Sequence, residues 1–507
     1  MQQSETSPNL SEIIRAFESG EIERANTLFE AAGGDQFAFQ NGFESLGQVL
    51  AAMPPDHWRR NEAAFCSWAV YLCKFGQAAR ASGHLNDPDL EFHKTVRFTI
   101  VELLVAIHLG DPIDANDIER WIFVERALPI SDPLTSGLYY NAMLAILVRV
   151  GRLSEARSFG ARAISAFKAA QHAHLEHFIH LHLADLSINE GHLRRGRRHL
   201  YAAKACLEKS GEAHGNEQQL SEIVSLVLDY EAGNFAHIPA RGAELRTSLI
   251  EGDSWAEIFN QLARITTLSL YFTAGRRVAL SELAEFQVGY AQRHGRHSDV
   301  LAVLEIEIDR LDHSLGGAEQ AIARLDPENL RGPVGSNLLS GIVAALGHQN
   351  APSLPVAGPR AALNAALTEA AQLSGQARRR SIQQAFLLAV RESHVAPFVE
   401  NRETLSGLGS QLTTSGFVRG HVQTGRMVRK VFRTVEHSYW VPERLRNLGV
   451  THKQLRVLTA LQSGATNKEI GRLLGLSEAT VKFHLTKLYR ATGVRKRGEL
   501  IEITMGI

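Results

Sequence analysis

A glycine that follows an apolar, helix-like run recurs along most of this chain of 507 residues. After a first interval of 56 residues, the intervals are between 34 and 42 residues, and the glycines are Gly20, Gly76, Gly110, Gly151, Gly191, Gly233, Gly275 and Gly316. Glycine can end a helix in a left-handed conformation that other residues adopt only with strain. A repeat of about 40 residues with two helices per unit is typical of an α-solenoid. The spacing therefore predicts an all-α fold for most of the chain.

Most of these glycines are followed by an apolar residue at the second position and a small residue at the fifth, as in GEIERA (20–25) and GRLSEA (151–156). The apolar residue fills the turn, and the small residue lets two helices approach closely. This pattern resembles the tetratricopeptide repeat and implies a TPR-like α-solenoid. The units at Gly233 and Gly275 depart from it at the small position, and their longer period predicts longer, less regular helices. An irregular helical bundle is the alternative.

The net charge of zero conceals an uneven distribution. From Val441 to Ile507 there are 12 Lys or Arg against 5 Asp or Glu, a balance of +7, which leaves 42 against 49, or −7, for residues 1–440. A small basic region is suited to a polyanion, and an acidic remainder avoids unspecific attachment to it. The two parts are therefore expected to have different partners.

Helix signals are dense within this basic region. Thr466 followed by Glu469 predicts a capping box, Gly475 ends that helix, and Ser477 caps the next one. On the later helix, one face carries Val481, Leu485 and Leu488, and the opposite half carries Lys482, Phe483, Thr486, Lys487 and Arg490. A helix-turn-helix of this character is suited to the major groove of DNA. A solvated basic helix with no ligand is the alternative.

The stretch GATNKEIGRLLGLSEATVKFHLTKLYRATGVRKRGEL (464–500) resembles the LuxR-type helix-turn-helix domain, and VTHKQLRVL (450–458) resembles its first helix. The resemblance implies a small four-helix domain in which Lys482, Phe483 and Thr486 face bases. It implies that five residues face the DNA backbone: Thr480, His484, Asn467, Lys468 and Arg495. A fourth helix, from about Lys496 to Met505, would supply a dimer contact. Two residues depart from the family pattern: Gln454 stands where Glu is common, and Gly471 where Ala is usual.

A second resemblance concerns the longer, N-terminal part. The stretch from Ser381 to Leu405 is similar to the last repeat of the sensor domain in MalT-like regulators, but no GxxxxGK[ST] motif for nucleotide binding is present. ATP-driven switching is therefore not expected. A Pro- and Gly-rich stretch at 347–359 predicts a loop. The expected domains are a TPR-like sensor or interaction domain at 8–405, a linker at 406–442 and a LuxR-type DNA-binding domain at 443–507.

Together these features predict a sequence-specific transcriptional regulator rather than an enzyme. Its expected partners are double-stranded DNA, RNA polymerase, a small-molecule or protein effector on the repeats, and a second copy of the chain. No cofactor is expected, and without an apolar span or a signal segment we expect a cytoplasmic, nucleoid-associated protein. The alternative is a helical-repeat interaction scaffold with a tip that docks on nucleic acid.

One stretch favours a different class of site. QHAHLEHFIHLHL (171–183) places His172, Glu176 and His180 at intervals of four residues, so they could share one helical face. No matching ligand motif occurs elsewhere, so the sequence predicts neither a metal site nor a catalytic site, and these histidines are expected on a solvated face or on a concave ligand surface. Cys66, Cys73 and Cys206 lack CxxC spacing and are expected as buried, reduced thiols.

Overall fold

The computed structural model describes residues 9–92, 94–110, 112–211, 216–252, 254–312, 318–346, 358–406, 408–413, 416–419, 422–441, 443–462 and 464–504. Every regular element in these ranges is a helix, which confirms the all-α class. None of the described helices is long and apolar enough to cross a membrane. The loop predicted at 347–359 lies outside the described residues, apart from its last two.

The N-terminal part consists of short helices with two small cores of their own. The helices are α1 (Leu10–Glu18), α2 (Ile22–Ala31), α3 (Phe37–Asn41), α4 (Phe43–Ala52), α5 (Glu62–Lys74), α6 (Ala78–Ser82), α7 (Val96–Leu109) and α8 (Ala115–Phe123). Short 3-10 turns lie at Gly34–Gln36, His57–Arg59 and Val124–Ala127. Stacked Trp58 and Trp68, with ring centroids 4.5 Å apart, belong to one of these cores.

The middle of the chain folds into longer helical hairpins. The helices are α9 (Pro133–Arg149), α10 (Leu153–Ala169), α11 (Ala173–Glu190), α12 (Leu193–Ser210), α13 (Glu217–Glu231), α14 (Ile238–Glu251), α15 (Ala256–Ala274) and α16 (Arg276–His294). The pairs α9–α10, α11–α12 and α15–α16 pack along their lengths, and α9, α11, α13 and α15 follow one another side by side. This stacking is the helical-repeat arrangement that the glycine spacing predicts; the specific likeness to tetratricopeptide repeats stays a prediction.

The recurring glycines occupy turns between successive helices, both in the N-terminal part and in the longer hairpins. Seven of the eight have φ between +71° and +95°, a region that favours glycine, and Gly316 lies outside the described residues. The small residue also has the predicted role in α12, where a Cβ on Gly196 would lie 2.5 Å from Cγ1 of Ile188. The unit at Gly233 differs because α14 packs mainly on α15, through Gly242, rather than on α13. A bulky Ile238 at its small position is compatible with that looser pairing.

The chain after these hairpins folds back across them. The helices are α17 (Asp299–Leu311), α18 (Ala318–Ile322), α19 (Pro333–Leu346), α20 (Pro359–Gln372), α21 (Gly375–Glu392) and α22 (Ala396–Glu400), with 3-10 turns at Pro327–Leu330 and Arg402–Leu405. Helix α19 contacts α11, α15 and α17, while α20 contacts α11 and α21. The inner helix α15 is consequently buried over most of its surface, including polar residues such as Arg264 and Thr267.

A network of buried ions joins the returning chain to the hairpins. Arg360 of α20 donates to Glu231 at the end of α13 (3.0 Å) and to Glu400 of α22 (2.8 Å). Arg264 of α15 lies 3.5 Å from Glu231, and Tyr230 donates to Glu400 at 2.8 Å. Burial alone would raise the pKa of Glu231, but Arg360, His394 and Arg264 lower that pKa to about 2. The network therefore holds charged side chains inside the core.

The predicted linker contains ordered helices. These are α23 (Gly409–Thr413), α24 (Gly416–Arg419) and α25 (Val422–His437). Helix α25 packs on α21 and α22, and it buries Val428 and Val431 in the main core. The stretch before α25 is rich in Gly, Ser and Thr, which predicts a linker, but the apolar residues of α25 lie on one face. The structure therefore differs from a plain linker over 422–437, and the domain boundaries stay a prediction.

A short segment attaches the C-terminal region to the hairpins. The backbone N–H of Tyr439 donates to the carbonyl of Phe272, and the indole of Trp440 donates to Glu403 at 2.9 Å. The basic tip (residues 443–507) follows, with helices α26 (Glu443–Arg446), α27 (His452–Gln462), α28 (Asn467–Leu474), α29 (Glu478–Thr492) and α30 (Arg497–Thr504). The ring of His452 lies against that of Tyr439, with centroids 4.3 Å apart.

Candidate nucleic-acid interface

Two capped helices, α28 and α29, meet across a tight turn in the basic tip. The hydroxyl of Thr466 accepts from the N–H of Glu469, and the Glu469 carboxylate accepts from the N–H of Thr466 at 2.7 Å, which confirms the capping box. Gly475 ends α28 with φ +66°, and Ser477 caps α29 by accepting from the N–H of Thr480 at 3.1 Å. These caps fix where each helix begins, and thus which residues share a face.

One face of α29 forms part of the core of the tip. Val481, Leu485 and Leu488 are buried, as the spacing predicts, and they pack with apolar residues of α26, α27, α28 and α30. The pairs α27–α28, α27–α29 and α28–α29 all make contact, and α30 packs on α27. This core holds α29 so that its opposite face points outward.

The outward face carries the three side chains predicted to face bases, Lys482, Phe483 and Thr486, together with Lys487. Lys482 and Phe483 are 63% and 54% exposed, and Thr486 and Lys487 are exposed beside them. The ammonium of Lys487 lies 4.5 Å from the centroid of the Phe483 ring. A large exposed aromatic ring is unfavourable in water unless it has a partner, so this face is suited to contact with another molecule.

Two interactions within α29 define what this face offers. The hydroxyl of Thr486 donates to the carbonyl of Lys482 at 3.0 Å, so the methyl group is left for an apolar contact. The ammonium of Lys482 lies 2.9 Å from Glu478, one turn earlier, and this ion pair lowers the pKa of Glu478. Lys482 must leave Glu478 to reach another acceptor, which costs little because both side chains are exposed.

The five residues predicted to face a DNA backbone differ in exposure. Lys468 and Arg495 are exposed, as is Arg490 on the outward half of α29, while Asn467, Thr480 and His484 are partly buried. Asn467 already accepts from Arg497 at 3.2 Å, and Thr480 shares a hydrogen bond with Ser477 at 2.8 Å. Burial, together with Lys487 and Lys453, lowers the pKa of His484, so its imidazole is neutral at neutral pH. Asn467 and Thr480 are therefore less free than the sequence suggests.

The structure adds residues that sequence reasoning did not single out. Arg497 at the start of α30 donates to Asn467 and to the carbonyl of Ala465, and thereby ties α30 to the start of α28. Glu499 accepts from the N–H groups of Arg495 and Lys496, both at 3.1 Å, and so orders the chain before α30. The contact of Glu499 has a signal in the sequence, because this acidic residue lies in the first turn of the predicted fourth helix, where backbone N–H groups are free.

Both departures from the family pattern have a local explanation. Gln454 accepts from the N–H of Thr451 at 2.7 Å and forms the capping contact of α27 that a Glu would form. A Cβ on Gly471 would lie 2.7 Å from the carbonyl oxygen of Leu476. The turn after α28 approaches so closely that glycine fits here better than alanine.

Known proteins match this region of the chain. Residues 449–504 match the model of the bacterial regulatory proteins of the luxR family. The C-terminal domain is a LuxR-family helix-turn-helix domain. Its relatives include the CsgBAC operon transcriptional regulatory protein of Escherichia coli, which is 40% identical over 52 residues, or 10% of this chain and 24% of that protein.

Two further relatives are transcriptional or metabolic activators by name. The transcriptional activator protein CarR of Pectobacterium carotovorum is 42% identical over 53 residues, or 10% of this chain and 22% of that protein. The glycerol metabolism activator of Pseudomonas putida is 36% identical over 84 residues, or 17% of this chain and 35% of that protein. The chain thus spans about a quarter to a third of the length of these relatives.

The histidine-rich stretch of the repeats does not form the predicted surface. His172 precedes α11 and bonds the carbonyl of Phe39 at 2.9 Å, whereas Glu176 and His180 are buried between helices. The three side chains therefore do not make one site, and the last two lie neither on a solvated face nor on an open concave surface. Cys66 and Cys73 are buried free thiols, as predicted, and Cys206 is a free thiol that is partly exposed.

Proposed function

We propose that this protein is a sequence-specific DNA-binding transcriptional regulator whose LuxR-family domain reads an operator. The observation that carries the proposal is the exposed face of α29, where Lys482, Phe483, Thr486 and Lys487 stand outward from a domain of a DNA-binding regulator family. The major groove of B-DNA admits one α-helix. The names of the relatives, which describe transcriptional regulators and activators, support the same function.

Within this proposal, Lys482, Phe483 and Thr486 contact bases. Lysine donates to guanine acceptors, and the Phe ring and the Thr methyl pack against thymine methyl groups. Phosphates are contacted by Thr480, His484, Asn467, Lys468 and Arg495, with Lys487 and Arg490 adding charge at the rim of the groove. The free N–H groups at the start of α28 favour a phosphate beside Lys468.

Selection from random duplex DNA with the full-length protein tests the proposal. A regulator enriches one short, nearly palindromic motif, whereas a scaffold with a docking tip shows only unspecific, salt-sensitive binding. The Lys482→Ala variant should lose the enrichment. The Arg24→Ala variant, altered at an exposed side chain of α2, should keep it. Equal enrichment in both variants, or none with the wild-type protein, would contradict the proposal.

The functional unit on DNA is proposed to be a homodimer in which α30 supplies the contact. A single helix-turn-helix reads one half-site, so useful affinity and specificity require two of them. Light scattering of the complex with the selected operator should give two chains per duplex. One chain per duplex, with the same affinity for a half-site as for the full site, would rule the dimer out.

The remaining assignments concern the helical repeats and the cellular setting. Residues 8–405 are proposed to bind a small-molecule or protein effector, and the regulator is proposed to act in the cytoplasm, on the nucleoid, in contact with RNA polymerase. Residues 443–507 are proposed as a separate folding unit, because their caps and core are local to the tip. A fragment of these residues should show a cooperative helical melting transition, and an unfolded fragment would place the boundary elsewhere.

A further inference from the structure

The hairpin α11–α12 brings together four side chains that commonly bind metals. Glu176 and His180 lie one turn apart on α11, and His199 and Cys206 lie two turns apart on α12. Nε2 of His180 is 3.5 Å from the Glu176 carboxylate, and its Nδ1 is 3.1 Å from Nδ1 of His199. The donor atoms of Glu176, His180 and Cys206 all lie within 4.8 Å of one another. Two neighbouring helices therefore contribute to one compact cluster.

The spacing of these donor atoms suits a tetrahedral ion. Ligand atoms at the usual distances from Zn²⁺ are separated by about 3.4 Å along a tetrahedral edge, close to the 3.5 Å between His180 and Glu176. A thiolate, an imidazole and a carboxylate form a mixed set that favours Zn²⁺ and similar ions over Mg²⁺ or Ca²⁺. The thiolate and the carboxylate together balance the charge of a divalent cation.

His199 provides the orienting contact that such sites usually have. When Nδ1 of His180 donates to Nδ1 of His199, the lone pair of His180 lies on Nε2, toward Glu176 and Cys206. With the proton on Nδ1, Nε2 is the ring nitrogen of His180 that can bind a metal ion.

We propose that Glu176, His180 and Cys206 bind one divalent transition-metal ion of the zinc class, with His199 as a positioning residue and one coordination position open to water. Glu176 and His180 are only 8% and 9% exposed, whereas Cys206 is partly exposed, so the ion enters from the α12 side. Lys168 of α10 lies 3.6 Å from Glu176 and is 64% exposed, so it can swing away as the ion binds. This site does not depend on the function proposed for the LuxR-family domain.

The test uses the full-length protein, freed of metal with a chelator and then titrated with Co²⁺ and with Zn²⁺. We expect one Co²⁺ per chain, with a near-ultraviolet absorption band from thiolate-to-cobalt charge transfer. Zn²⁺ should compete for the same site and raise the melting temperature, because binding to the folded state stabilises it. No uptake of either ion by the wild-type chain would overturn the proposal.

Substitutions identify the ligands. Cys206→Ser should abolish the charge-transfer band, since the Cys66 and Cys73 thiols that remain are buried in another core. Glu176→Gln keeps the side-chain shape and should weaken Zn²⁺ binding by more than about 100-fold, whereas His199→Gln should weaken it by about 10- to 100-fold. His237→Gln, at a histidine with 54% exposure, is the control and should change neither. Wild-type affinity in both the Cys206→Ser and Glu176→Gln variants would overturn the site.

Discussion

The helical repeats and the LuxR-family domain use charged residues in opposite ways. In the repeats, Arg264 and Arg360 lie in the core, 4% and 3% exposed, and they meet carboxylates from distant parts of the chain. In the LuxR-family domain, Lys482 and Lys468 are exposed. A buried arginine with partners joins helices of one molecule, whereas an exposed lysine is available to a second molecule.

The acidic residues of the helical repeats and of the LuxR-family domain differ in the same way. Glu231 and Glu400 of the repeats are enclosed with arginines. In the LuxR-family domain, Glu469 and Glu499 accept backbone N–H groups at helix starts. Capping uses the negative charge locally and leaves most of the basic side chains unneutralised. Net charge alone therefore does not identify a binding surface, because the role of each charged side chain depends on the groups that it contacts.

Removal of a buried arginine from the repeats should have the largest effect. Arg360→Ala leaves Glu231 and Glu400 without their closest partner, and breaking a buried ion network of this kind costs about 3 to 5 kcal/mol. Denaturant unfolding of the full-length protein measures the loss. Arg24→Ala, which breaks an exposed pair with Glu21, is the control and should leave the unfolding midpoint unchanged. Equal midpoints for the two variants would remove the distinction between buried and exposed arginines.

Two lysines of the LuxR-family domain should differ in what their loss changes. Lys482→Ala removes the proposed base contact and should cost about 1 to 3 kcal/mol of operator affinity while it flattens the preference over random DNA. Lys468→Ala removes the proposed phosphate contact, so it should weaken binding to every sequence about equally and lower the salt slope by roughly one ion. Titrations against operator and random duplexes at several salt concentrations separate the two effects.

The two lysine variants serve as controls for each other, since each removes one positive charge from an exposed helix position. Identical changes in specificity would mean that charge alone matters, or that another face of α29 enters the groove. Melting curves of both variants should match that of the wild-type protein, because neither side chain belongs to the core.

Substitution of two glycines in the LuxR-family domain should change its stability in opposite directions, and the change at Gly498 should be the smallest effect of all. Gly471→Ala places a methyl group against the Leu476 carbonyl and should destabilise the domain by about 1 to 3 kcal/mol. Gly498→Ala, in α30, meets no atom within 4 Å and should stabilise the domain by about 0.5 kcal/mol. Differential scanning calorimetry of each variant measures both. Stabilisation by Gly471→Ala would show that the turn after α28 can relax.

Local signals explain most of what the sequence predicted. Positive φ at Gly151 and Gly191, the capping box at Thr466, and the buried face of α29 each depend on residues within a few positions of one another. The same holds for the exposure of Lys482 and Phe483. Such features follow from helix geometry and turn chemistry alone.

Features made by distant residues were not predictable in this way. Glu231 and Arg360 are 129 positions apart, and no periodicity indicates that they pair. Cys206 approaches Glu176 only because two helices pack at a particular register. The Gly, Ser and Thr residues before helix α25 predict a linker there, although Val428 and Val431 of that helix are buried in the core. Tertiary packing selects among local possibilities, and a single sequence does not reveal that choice.

The returning helices also impose an order on synthesis. Backbone and side-chain contacts join Gly191 to His394 and Arg194 to Glu392, across 203 and 198 positions. When the ribosome has produced α13, the segment that closes over this helix has not yet been made. The core of these hairpins therefore stays incomplete until about 160 further residues have been synthesised. The buried core of the LuxR-family domain, in contrast, lies between Leu445 and Leu500, so the residues that form it are synthesised within a short stretch of chain. We expect that a chain truncated before α20 aggregates during translation, whereas one truncated before α26 remains foldable.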